Sequence, residues 1–104
     1  MQVIRETGDG LDLLELLKGI TPDIVILDIS MHRLMGLEAA QIIKKQYPAI
    51  KIMILTMHRE KTFSQRAREI GVDGYVLKDE ADTALTSAIR AVLDDKTYFS
   101  PLVA

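Results

Sequence analysis

The sequence predicts an α/β fold in which a parallel β-sheet carries helices on both faces. Short apolar runs alternate with stretches of helical periodicity along the chain. Two of these runs, at residues 24–27 and 52–55, are apolar at every position, which is typical of central strands covered on both faces. The 104 residues are enough for one compact core and too few for two comfortable domains.

The first half of the chain contains two strands and two helices. Residues 2–6 (QVIRE) have strand character, and the Gly-Asp-Gly that follows breaks the strand. Asp9 is predicted to cap a helix over residues 11–19 that stops at Gly19. Residues 23–28 (DIVILD) form the second strand. From Gly36 the apolar residues follow a helical period, and Pro48 ends that helix.

The second half repeats the pattern. Residues 50–56 (IKIMILT) predict a third strand and 74–78 (GYVLK) a short fourth one, with a helix between them that Gly71 closes. Asp82 is predicted to cap the last helix, whose apolar face carries Leu85, Ala88, Ile89 and Val92. We assign residues 1–94 to the domain. Residues 95–104 are not periodic and contain Pro101, so we interpret them as the start of a linker.

Composition narrows the possible functions. The chain has no cysteine, so it has neither a disulfide framework nor a thiolate metal site, and we expect it to work in the cytoplasm. No apolar run approaches the ~20 residues of a membrane span, and no basic, then apolar, leader begins the chain. The net charge of −2 is well mixed, which is a poor footprint for nucleic acid. If DNA matters, a separate domain binds it.

Three polar residues end three different predicted strands. Asp28, Thr56 and Lys78 follow apolar runs, and the carboxyl ends of parallel strands share one edge, where ligands bind. Taken singly, each has an ordinary explanation as a cap, a turn residue or a solvated charge. Together, an acid, a hydroxyl and an ammonium suit phosphoryl chemistry. The acid can attack phosphorus and form an acyl phosphate, and the other two can hold phosphate oxygens.

The motifs around these residues resemble bacterial response-regulator receiver domains. The segment VILDISMHRLMG is similar to their phosphoacceptor motif, MILTMH to the strand that ends in the switch Thr or Ser, and GVDGYVLKDE to the strand with the switch aromatic and the lysine. The chain most resembles the NarL/FixJ (LuxR-type) subfamily, because GYVLKD has no proline after the lysine and a YFSP segment follows the last helix. The fold implied is flavodoxin-like (CheY-like).

The resemblance implies a phosphorylation switch in a two-component system. A sensor histidine kinase would phosphorylate Asp28, Thr56 would bind the phosphoryl oxygens and swing inward, and Lys78 would pair with the phosphate. Tyr75 would rotate in response. Asp28 and the backbone carbonyl of Ser30 would hold Mg²⁺, and the linker would lead to a helix-turn-helix domain that binds DNA.

The chain departs from the receiver pattern at its beginning. Receivers start with a strand that ends in an acidic pair, then a helix, and roughly 25 residues of this kind are absent here. Asp9 lies on the wrong segment to replace the pair. Residues 2–6 must therefore pair with 23–28 or leave an open edge, which predicts a homodimer or a swapped assembly. We also expect weak Mg²⁺ binding and slow phosphorylation by small phosphodonors.

Other interpretations remain open. His32 stands where the family commonly has proline, and His58 stands where the family tunes water access to the acyl phosphate; two histidines alone do not predict a metal site. A phosphatase of the haloacid-dehalogenase kind would need a second acid where Ser30 stands, so we predict a signalling domain rather than an enzyme. The alternative is a pseudo-receiver that regulates a partner by contact, without phosphotransfer.

Overall fold

The computed structural model describes residues 3–6, 11–29 and 33–102. Strands and helices alternate, as the sequence predicts, around one parallel sheet. The strands are β1 (Val3–Glu6), β2 (Ile24–Ile29), β3 (Lys51–Thr56), β4 (Gly74–Leu77) and β5 (Tyr98–Phe99). The helices are α1 (Leu11–Leu16), α2 (Arg33–Gln46), α3 (Lys61–Ile70) and α4 (Ala81–Leu93), with a short 3-10 helix (Lys78–Glu80) before α4.

The strand order is sequential, β1-β2-β3-β4-β5, and every pair is parallel. Val3 lies opposite Ile24. Of the two predicted alternatives for residues 2–6, pairing with residues 23–28 or leaving an open edge in their place, the structure shows the pairing: β1 lies directly beside β2. In the described sheet, β1 has a neighbour on one side only. Its outer edge therefore has unpaired backbone groups within this sheet.

The two faces of the sheet are covered unequally. Side chains of α1, α2 and α3 pack on one face, which includes Val25, Leu27, Ile52 and Ile54. Among the described helices, α4 packs on the other face, over Ile24, Ile26, Met53 and Leu55. Because strand side chains alternate between faces, consecutive apolar residues are needed to fill both layers.

The helix ends agree only in part with the prediction. Gly71 ends α3 with a φ of 95°, a left-handed conformation that glycine adopts at no steric cost, as the sequence predicts. Asp82 is not the cap of α4: the 3-10 helix leads straight into α4 and places Asp82 in its first turn. Helix α1 ends at Leu16, and residues 17–19 form a turn rather than helix. Asp9 lies outside the described residues.

The segment predicted as the start of a linker contributes strand β5. Tyr98 N–H donates to the Asp73 carbonyl at 3.0 Å, and Ser100 N–H donates to the Tyr75 carbonyl at 2.9 Å. Two residues are too short a run to show the alternation by which strands are predicted. The strand covers the outer edge of β4.

A largely buried ion pair stabilises the edge of the sheet where the strands begin. Asp73 Oδ2 lies 2.7 Å from Lys44 Nζ and accepts the Ile52 N–H at 2.9 Å. Lys44 Nζ also donates to the Ile50 carbonyl at 3.2 Å. Both charged side chains are largely buried, so the pair ties α2 to β3 and to the start of β4.

None of the helices in the described part of the chain is long and apolar enough to cross a bilayer.

Candidate functional site

Asp28 is a buried carboxylate at the end of a buried strand. It is the fifth of six consecutive buried residues in β2, and its side chain is 8% exposed. By strand alternation it belongs to the face covered by α4, with Ile24 and Ile26. A carboxylate in this position must have a compensating partner, because desolvating a lone charge is costly.

Lys78 supplies that partner. It is the first residue after β4, and its Nζ lies 2.5 Å from Asp28 Oδ1. β3 separates β2 from β4, so the lysine reaches past the carboxyl end of the central strand. Its side chain is 28% exposed, which leaves this side of the pair open to solvent. The prediction that these two residues meet at one rim therefore agrees with the structure.

Thr56 ends the central strand between them, but its hydroxyl points to a different partner. The residue is fully buried, and Oγ1 accepts the His58 N–H at 3.1 Å. Alternation places Thr56 on the face of Ile52 and Ile54, opposite to that of Asp28. The structure thus brings Thr56 to the same edge of the sheet, while its hydroxyl is bonded to the loop that follows β3.

Tyr75 also binds the loop that follows β3. Its ring is fully buried, and its hydroxyl donates to the His58 carbonyl at 2.6 Å. Burial raises the pKa of this hydroxyl well above its usual value, and the nearby carboxylate of Glu60 raises it further. Phe63 packs edge-on at 6.0 Å between ring centroids. The phenol is therefore a neutral donor whose position is fixed by packing.

The backbone of His58 makes two contacts that sequence reasoning did not predict. Its backbone N–H binds Thr56 and its carbonyl binds Tyr75, so both predicted switch residues meet at one peptide segment. The imidazole lies against Phe63 at 5.4 Å, with Nδ1 3.7 Å from Glu60 Oε2. No side-chain pattern could have indicated this, because the contacts are made by the backbone.

A second ion pair at the rim joins the loop after β3 to the 3-10 helix after β4. Arg59, three residues after Thr56, pairs with Asp79, which follows Lys78. Both side chains are about half exposed, so the pair adds little free energy but links these two segments. Sequence reasoning missed it, since charges 20 residues apart on separate segments show no periodic relation.

The other predicted residues follow Asp28 in the sequence. Ser30, Met31 and His32 lie outside the described residues. Gly36, in the first turns of α2, is buried, and a Cβ placed on it would stand 2.5 Å from Ile29 Cδ1. The absence of a side chain therefore lets α2 lie directly on the residue after Asp28.

The described residues offer few side chains that could bind a metal ion at this site. Among residues 3–6, 11–29 and 33–102, no three acidic or histidine side chains converge on one point. The Asp28 carboxylate is the donor that suits Mg²⁺, an ion that prefers oxygen ligands and keeps several waters.

Comparison with known proteins identifies the family of the chain. Residues 1–90 match the family of response regulator receiver domains. The chain belongs to this family, whose members are signalling modules with a CheY-like fold. The flavodoxin-like fold predicted from the motifs is therefore confirmed.

The curated relatives of the chain include transcriptional regulatory proteins. It is 39% identical over 101 residues to the transcriptional regulatory protein DesR of Bacillus subtilis, covering 97% of this chain and 50% of that protein. The structure of a LuxR-family two-component response regulator from Aurantimonas sp. SI85-9A1 is 34% identical with a TM-score of 0.83, covering 92% of this chain and 69% of that one. These likenesses confirm the predicted NarL/FixJ (LuxR-type) subfamily.

The isolated receiver domain of RcsB from Salmonella enterica serovar Typhimurium has the same fold. It is 25% identical with a TM-score of 0.81, and the match covers 91% of this chain and 70% of that one. In the described sheet no strand lies between β1 and β2, in agreement with the predicted lack of the receiver's first strand and helix. The chain spans about half the length of the curated relatives it matches.

Proposed function

We propose that this chain is the phosphoacceptor domain of a two-component response regulator, phosphorylated on Asp28 by a histidine kinase to switch a transcriptional output. One observation carries the proposal. The buried Asp28 carboxylate meets the Lys78 ammonium at 2.5 Å, at the carboxyl edge of a parallel sheet. An acid and an ammonium at this edge are the groups that phosphoryl transfer to a carboxylate needs.

The proposed reaction is a transfer between two side chains. A carboxylate oxygen of Asp28 attacks the phosphorus of a phosphohistidine, an O–P bond forms, and the N–P bond breaks. The imidazole leaves with the bonding electron pair and takes up a proton from solvent. Lys78 then pairs with phosphoryl oxygens in place of the carboxylate it binds in the unphosphorylated chain.

The phosphoryl group carries about −1.5 to −2 charge, which replaces the single negative charge of the free carboxylate at this edge of the sheet. We propose that the Thr56 hydroxyl turns from the His58 N–H toward a phosphoryl oxygen, and that Tyr75 rotates in response. Shifting such a switch from mostly off to mostly on takes about 5 kcal/mol of differential interaction. The loop held by His58 is the segment on which this energy would act.

Mg²⁺ belongs to the proposal as a weakly bound ion. Asp28 and the Ser30 carbonyl would hold it, and it would supply positive charge to the phosphoryl oxygens. Support comes from the family, while the described residues include no group of three acidic or histidine side chains that could hold the ion. We therefore expect slow phosphorylation by small donors.

The partners are proposed from the fold and the relatives. A sensor histidine kinase would supply the phosphoryl group, and a separate helix-turn-helix domain after residues 95–104 would bind DNA, all in the cytoplasm. The outer edge of β1 supports a homodimer or a swapped assembly, since that edge has unpaired backbone groups in the described sheet. A strictly monomeric sedimentation profile at high concentration would count against this assembly.

An amide spectrum recorded by NMR with and without phosphoramidate tests the proposed switch. Signals of Thr56, His58 and Lys78 should shift in the wild-type chain and stay in place in Asp28→Asn. Asp94→Asn removes the same charge from an exposed position and should respond like wild type. The proposal fails if saturating donor leaves the wild-type spectrum unchanged, or if Asp28→Asn responds equally, as a contact module would.

A further inference from the structure

A continuous set of contacts runs from the end of β3 to strand β5. Thr56 Oγ1 accepts the His58 N–H at 3.1 Å, and the His58 carbonyl accepts the Tyr75 hydroxyl at 2.6 Å. The Tyr75 ring stacks on Phe99 of β5, with centroids 5.8 Å apart and planes 11° from parallel. The guanidinium of Arg68, on α3, covers the Phe99 ring at 3.8 Å.

Every link in this set is constrained by burial or packing. Tyr75 is fully buried between Phe99 on one side and the edge of Phe63 on the other. Its ring therefore cannot turn away from His58 without losing the stack on Phe99. The stack in turn depends on β5 staying beside β4, where Phe99 lies opposite Tyr75 in the register.

Strand β5 is only two residues long. The Tyr98 and Ser100 amides donate to the carbonyls of Asp73 and Tyr75. The two aromatic residues of the strand alternate: Phe99 packs on the face of Tyr75, and Tyr98 packs against the cluster under α4. Of the two rings, Phe99 is therefore the one connected to the loop after β3.

We propose that Phe99 is a positioning residue for Tyr75, and that through it β5 and the loop holding Thr56 are coupled. A coupling of this kind is reciprocal: what loosens β5 loosens the loop, and what moves the loop changes how firmly β5 binds. The coupling is a property of the unphosphorylated chain. Its use as an output rests on the proposed function, because phosphorylation of Asp28 would move the loop and thereby β5.

Hydrogen exchange of single amides tests the coupling without any phosphodonor. Phe99→Leu removes the stack, and we expect the His58 amide to exchange about three- to tenfold faster, as loss of an aromatic pair predicts. Tyr98→Leu is the matched control, because it removes a ring from the same strand on the other face. It should speed exchange of the strand's own amides and leave the His58 amide unchanged.

Tyr75→Phe completes the test by removing the hydroxyl and keeping the ring. In that background Phe99→Leu should no longer alter exchange of the His58 amide, since the connection is already cut. The Ile52 amide, bonded to Asp73 at the opposite edge, reports global opening, so the change at His58 is measured relative to the change at Ile52 in each variant. Should Phe99→Leu fail to fold, Phe99→Tyr keeps a ring and should exchange like wild type.

Two results would overturn the positioning role: equal exchange of the His58 amide in Phe99→Leu and Tyr98→Leu, or an effect of Phe99→Leu that persists with Tyr75→Phe. Neither result bears on the proposal that Asp28 is the phosphoacceptor. Conversely, if exchange changes as expected but a separate phosphorylation assay finds no phosphoryl group on Asp28, the proposed function is refuted and the coupling is kept.

Discussion

Lys78 and Asp28 form an ion pair across a strand to which neither belongs. The Nζ and Oδ1 atoms lie 2.5 Å apart, while β3 runs between the strands that position them. The buried carboxylate at the end of β2 is thus compensated by the Lys78 ammonium, which follows β4. The same geometry leaves the lysine able to bind a phosphoryl group instead.

The two partners should differ in what their removal costs. Lys78→Met leaves the Asp28 carboxylate buried without its cation, and we expect a loss of about 1–3 kcal/mol in the free energy of unfolding, reduced from the fully buried case because the lysine is partly exposed. Asp28→Asn removes the desolvated charge itself and should cost less. Chemical denaturation of the two variants measures both, and a larger loss for Asp28→Asn would contradict this account of the pair.

The ion pair at the opposite edge should be more purely structural. Asp73→Ala removes the acceptor of both Lys44 and the Ile52 amide, so we expect a loss of about 1–3 kcal/mol from the unmet buried donors. Asp95→Asn, in the exposed pair with Lys51, is the control and should cost far less. Denaturant midpoints compare them; equal losses would refute the assigned role of Asp73.

Gly36 should tolerate no side chain. In Gly36→Ala the new Cβ would stand 2.5 Å from Ile29 Cδ1, and overpacking of this kind costs about 1–3 kcal/mol. Ile29→Val removes the Cδ1 atom, so the double variant should lose less stability than the sum of the two single variants. Thermal denaturation of the three proteins measures the difference, and strict additivity would contradict the predicted clash.

Tyr75 should make the fold sensitive to alkali. Burial raises the pKa of its hydroxyl in the folded state, so the folded chain keeps a proton that the unfolded chain loses above pH about 10. The resulting stability is fully present below that pH and is lost as pH rises toward the folded value. The stability difference between wild type and Tyr75→Phe should therefore shrink from about pH 9 to about pH 11. A constant difference would contradict the effect of burial.

The sequence predicted those features that depend on side-chain pattern. The doubly apolar runs located β2 and β3, and the rule that parallel strands share a carboxyl edge brought Asp28, Thr56 and Lys78 to one rim. The sequence pattern could not predict strand β5, because a strand of two residues shows no period. It also could not predict the start of α4, which has no side-chain cap and where a 3-10 helix precedes Asp82. The role of His58 was hidden because its contacts are made by peptide groups, which every residue has.

Chemical location of the phosphoryl group tests the central claim most directly. After treatment with phosphoramidate and Mg²⁺, borohydride converts an aspartyl phosphate to homoserine, which mass spectrometry of peptides can assign to one residue. The account predicts slow formation of homoserine at position 28, less in Lys78→Met, and none in Asp28→Asn. Homoserine at another aspartate, or none at position 28 under saturating donor, would contradict it.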